Sequence, residues 1–133
     1  MNNNSVIKYF NPHPQEKMVA DCVKRALVAA TGRTYKEVSS ELNRHKKITK
    51  SKHFSSKSNF IPYFEEELKF KRISFPAVKG QPRMNGASFA RSHRKGTYIL
   101  NMAHHVVACI DGVLYDTWDS TEKCVYSAWV VKE

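Results

Sequence analysis

Hydrophobic and polar positions along the chain change period partway. Up to about residue 70 the apolar residues recur at helical spacing; afterwards they alternate as in strands. Cys22, Ala26, Ala29 and Ala30 lie along one side of a predicted helix over Asp21–Thr31, with Val23 and Leu27 beside them. Asp21 is placed to cap that helix and Gly32 to end it, while Lys24 and Arg25 point away from the packed side. Thr34 and Glu37 form a T-x-x-E capping box, after which Tyr35, Val38 and Leu42 continue the helical period. A further helix is expected over Asn59–Leu68 with Pro62 in its first turn, and a short one over Met84–His93. Strands are expected at Ser5–Phe10, Phe70–Phe75, Gly96–Met102, His105–Ile110, Val113–Trp118 and Cys124–Val131. Asp111-Gly112 is a strong hairpin signal between two of them. Helices first and a mostly antiparallel sheet after them predict one α+β domain spanning residues 1–133. Its helical half covers about 15–70 and its β half about 70–133.

Composition narrows the setting. An apolar share of 41% in 133 residues suits one modest core. No apolar run approaches the roughly 18 residues that cross a bilayer, and the start lacks the layout of a signal peptide, so the expectation is a cytoplasmic protein with no membrane partner. Three irregularly spaced cysteines give no disulfide framework. Without a CxxC pair no metal site is expected, and no cofactor is called for. The net charge of +10 reads first as a solvated basic surface. Its densest stretch, Arg44 to Lys57, is expected to form a mobile surface loop at about 44–58. An acidic protein or a nucleic acid is its possible partner. The acidic triplet Glu65-Glu66-Glu67 reads as a solvated face.

Three residues add candidate chemistry. Cys22 heads a helix, where the dipole and unpaired N–H groups favour a thiolate. With Asp111-Gly112 as the turn, Ile110 pairs with Val113, Val107 faces Asp116 and His105 faces Trp118. His105, Asp116 and Trp118 then share a face, the first two being diagonal neighbours roughly 7 Å apart at Cβ. This parity selects His105 over His104 as the base and Asp116 over Asp119 as its orienting acid; a one-residue bulge would reverse both choices. The Cys22 N–H is a candidate oxyanion donor. Trp118 either shields the His–Asp pair or packs in the core, and Cys109 and Cys124 read as packing residues.

These stretches resemble the papain-like cysteine peptidase superfamily, in particular its small C39-like branch and compact phage or bacterial proteins. The resemblance rests on Asp21-Cys22-Val23-Lys24-Arg25-Ala26-Leu27, Ala30-Thr31-Gly32-Arg33-Thr34-Tyr35, Phe89-Ala90-Arg91, Gly96-Thr97-Tyr98-Ile99-Leu100, and His105-Val106-Val107-Ala108 through Asp111-Gly112 to Asp116-Thr117-Trp118. It implies a papain-like fold in which Cys22 attacks a peptide or protein substrate, with His105 and Asp116 completing a triad. Gln15 is the candidate second oxyanion donor. Two features depart from the superfamily pattern: no glutamine stands five or six residues before Cys22, and Val23 replaces the usual glycine. The same fold without turnover would instead make a binding protein.

Overall fold

A computed structural model describes residues 6–133. Ser5, at the expected start of the first strand, lies outside them. The architecture is mixed α+β. Strands β1 (Ile7–Tyr9), β2 (Lys71–Ser74), β3 (Thr97–Met102), β4 (His105–Ile110), β5 (Val113–Asp116) and β6 (Ser127–Lys132) form one sheet in the order β1-β5-β4-β3-β6-β2. All neighbours are antiparallel except β1, which lies parallel to β5 and pairs Tyr9 with Asp116.

Period-2 alternation gives the sheet two apolar faces. Ile99, Val106 and Trp129 pack with helices α1 (Cys22–Thr31), α2 (Tyr35–Thr49) and α3 (Lys57–Pro62). Leu100, Val107, Cys109 and Leu114 pack with α4 (Gly86–Ser92). Gly86 permits the close approach of α4, since a Cβ there would meet Leu114 Cδ1 at 3.0 Å and Met102 Cε at 3.1 Å.

Local signals form as expected at two places. The capping box closes, with Glu37 N donating to Thr34 Oγ1 at 3.1 Å and Thr34 N donating to Glu37 Oε1 at 3.0 Å. Asp111 and Gly112 both take positive φ, 49° and 79°, the geometry of a two-residue hairpin turn. Ile110 therefore pairs with Val113, and the register runs unbroken to Ala108 and Tyr115.

Four expectations change. Helix α2 runs to Thr49, so the first part of the basic stretch is helical. The remainder is tied to the core by hydrogen bonds: buried Asn59 donates to Leu42 O and Phe54 O at 3.2 and 2.8 Å, and meets His45 Nδ1 at 3.0 Å. Pro62 ends α3 instead of starting a helix. It has no N–H to donate back, and the chain widens into a π-helical turn over Tyr63–Glu67, where Leu68 N reaches Tyr63 O at 2.9 Å. Within the acidic triplet, Glu65 accepts from Trp129 Nε1 at 2.8 Å and pairs with Arg72, while Glu67 pairs with Arg44. Cys124 is exposed rather than packed; Cys109 is buried as expected. No helix among the described residues is long and apolar enough to cross a membrane.

Candidate active site

The end of β5, the start of β4 and the head of α1 converge. His105 is the first residue of β4 and Asp116 the last of β5, so the antiparallel pairing brings both to one end of the sheet. His105 Nε2 lies 2.7 Å from Asp116 Oδ2. That leaves Nδ1 free of the carboxylate, and Cys22, the first residue of α1, has its thiol close enough to the His105 ring and the Val106 backbone for both to act on it. The structure thus brings Cys22, His105 and Asp116 together.

Asp116 is held from every side. Its Oδ2 also accepts from Ser120 Oγ at 2.6 Å. Its Oδ1 accepts from Thr117 N at 2.8 Å and from Arg25 Nη2 at 3.2 Å. Its own carbonyl accepts from Phe10 N at 2.8 Å, so the parallel strand β1 fixes the backbone behind it. Arg25 is buried, contrary to its expected outward position, and bridges Asp116 to Asp21. Asp21 in turn does not cap α1 through its side chain. Its other oxygen accepts from Tyr35 Oη at 2.8 Å. A carboxylate flanked by a buried guanidinium forgoes the cap because the charge-assisted bond is stronger. The D-x-x-x-R spacing was the available sequence signal, since residues four apart meet on a helix.

These contacts set the electrostatics. Burial alone would raise the Cys22 thiol. The His105 hydrogen bond, the Val106 N–H and the charges of His105 and Arg25 outweigh it and hold the thiol below its ordinary value. Burial likewise opposes the His105 cation, but the bonds to Asp116 and Cys22 raise it. Asp116 would be raised by burial, yet the bonds from His105, Ser120 and Thr117 bring it down. Each ionised form has an adjacent partner, the arrangement that favours a thiolate–imidazolium pair.

The alternatives lie elsewhere. His104 sits in the β3–β4 turn at φ 53° and is exposed, lining the cleft while His105 turns inward. Asp119 accepts from Thr121 N at 3.0 Å and is exposed. Gln15 is at the surface, its N–H donating to His13 Nδ1 at 3.1 Å, and does not line the cleft. The N–H of Cys22 belongs to a helix start without a side-chain cap. Trp118 lies 4.7 Å from the His105 ring, centroid to centroid, and is 44% exposed, so it covers the imidazole instead of joining the core.

A cleft of about 640 Å³ opens over these groups. Met18, Val19 and Trp118 are exposed apolar residues on its wall; Ser55, Lys57 and His104 add polar ones. Among the described residues, no three His, Cys, Asp or Glu side chains group to hold a metal ion. Compared with protein-family models, curated proteins and solved structures, the chain matches none.

Proposed function

We propose that the chain is a small papain-like cysteine hydrolase acting on an amide or thioester bond of a polypeptide. The observation that carries this reading is the 2.7 Å histidine–carboxylate bond of His105 and Asp116 beside Cys22 at the head of α1, with Cys22 and His105 both lining one cleft. Sγ of Cys22 attacks the carbonyl carbon and forms a C–S bond, and the carbonyl electron pair moves onto oxygen. The Cys22 N–H donates to that oxyanion. Collapse of the adduct expels the amine or thiol, which takes the proton from His105. Water then attacks the thioester, giving its proton to His105. The acid is released and the thiol restored. Asp116 holds the ring and balances its charge throughout. A cytoplasmic setting is part of the proposal, since three free cysteines suit a reducing compartment.

A second reading, a binding protein that keeps the triad without turnover, is favoured by one observation: Gln15 stays at the surface, away from Cys22. p-Nitrophenyl acetate separates the two. The hydrolase reading predicts a burst that places one acetyl group on Cys22, followed by steady release that is absent in Cys22→Ala. Acetylation of Cys22 that persists without turnover supports the binding protein. Acetyl groups on lysines alone contradict both.

A further inference from the structure

We infer that the natural substrate is a polypeptide carrying acidic side chains next to an apolar residue at the bond attacked. The inference deepens the hydrolase reading and rests on it. The cleft wall is chemically mixed. Met18 and Val19, 64% and 45% exposed, offer it apolar surface. Its charged part is one-sided. Asp21, the carboxylate on the wall, is buried and already paired with Arg25 and Tyr35. Lys57, on the same wall, is exposed and makes no ion pair with any described carboxylate. Lys50 and Lys52, just before it, are likewise exposed and unpaired, whereas Arg44 is neutralised by Glu41 and Glu67.

The segment that carries these lysines is tied to its neighbours by side-chain contacts. Ser51 Oγ lies 2.8 Å from Ser58 Oγ and 2.6 Å from Thr49 Oγ1, and Asn59 anchors the carbonyls of Leu42 and Phe54. Lys24 Nζ stands 4.1 Å from the Phe54 ring centroid, clasping the segment against α1. A basic segment that reaches the cleft wall at Lys57 selects for negative charge on whatever enters. The acyl chemistry of the site needs a carbonyl carbon, so the anion it selects belongs to a polypeptide rather than to nucleic acid.

The test uses the full chain carrying Cys22→Ala, immobilised at physiological salt, and a synthetic library of short peptides randomised at every position. The bound peptides are sequenced by mass spectrometry. Asp and Glu are expected to be enriched about threefold beside apolar residues, the scale of one or two exposed ion pairs. The enrichment should vanish in Lys52→Glu/Lys57→Glu. It should survive in Lys79→Glu/Lys95→Glu, which changes net charge equally at exposed lysines off the cleft wall. Should the first pair fail to fold, Lys57→Gln alone is expected to halve the enrichment. Absence of acidic enrichment, or equal loss in both charge-reversed proteins, overturns the inference. So does an unchanged enrichment in Lys57→Gln. Because binding needs no reactive thiol, these outcomes are independent of whether acetyl transfer by Cys22 succeeds.

Discussion

Two cysteines of this protein are both withdrawn from water and are driven in opposite directions. Cys109 lies four residues along β4 from His105, fully buried among Leu114, Val107 and Phe89. Burial there pushes its thiol up to about 12. Cys22, at the head of α1, is also partly buried, yet its thiol is held below the ordinary value. The difference is not the amount of burial but what the sulfur is buried against. At Cys109 the Gly112 backbone bond offsets only part of the desolvation and the Asp111 charge adds to it, whereas at Cys22 the His105 imidazole, a backbone N–H and the Arg25 charge together outweigh it. One strand therefore supplies both the partner that activates one thiol and the environment that silences another.

Removing the buried cation should break the comparison most severely. Arg25→Met leaves Asp21 and Asp116 with no charge between them, and should cost about 3–5 kcal/mol of stability, checked by urea denaturation. In whatever fraction remains folded, iodoacetamide should label Cys22 more slowly at neutral pH, because the Arg25 charge no longer favours its thiolate.

Ser120→Ala is a milder cut, removing one donor to the ionised Asp116 at a cost of about 1.5 kcal/mol at pH 7. The folded carboxyl is depressed, so its ionised form stabilises the fold above the ordinary carboxylate range of about 4, and that contribution disappears as pH falls through the depressed value. The melting-temperature gap between wild type and Ser120→Ala should accordingly close in acid. A gap that persists unchanged after the folded carboxyl has titrated would show that the bond does not depend on the carboxylate charge. Cys109→Ala should have the smallest effect, about 1 kcal/mol from lost core contacts, with the labelling rate of Cys22 unchanged. Slowed labelling there would couple two sites that the comparison treats as separate.

How much of this was readable from the chain follows the range of each interaction. The Thr34–Glu37 box and the Asp111-Gly112 turn are decided by neighbouring residues, and both formed. The meeting of His105 and Asp116 followed from that turn by counting, since no bulge interrupts the β4–β5 pairs. Arg25 is drawn inward by two carboxylates, of which Asp21 is four residues away and Asp116, the one that ties it to the site, is 91 residues away in the chain. Once paired, a guanidinium can be buried on a face that propensity assigns to water. The same holds for the basic stretch, whose first part is helical although its composition suggested a loop. A single buried amide, Asn59, pins it through bonds that no periodicity displays. The parallel pairing of β1 with β5 and the widened turn after Pro62 likewise depend on distant packing.

The most direct test is the pH dependence of alkylation at each of the three cysteines, followed residue by residue in one folded sample by mass spectrometry. Cys22 should react well below pH 8, Cys109 should stay unlabelled until the protein unfolds, and His105→Ala should abolish the early reaction of Cys22 while leaving the other two unchanged. Labelling of Cys22 that follows an ordinary thiol near pH 8.5, and that is indifferent to His105→Ala, would contradict the claim that His105 and Asp116 make it a nucleophile.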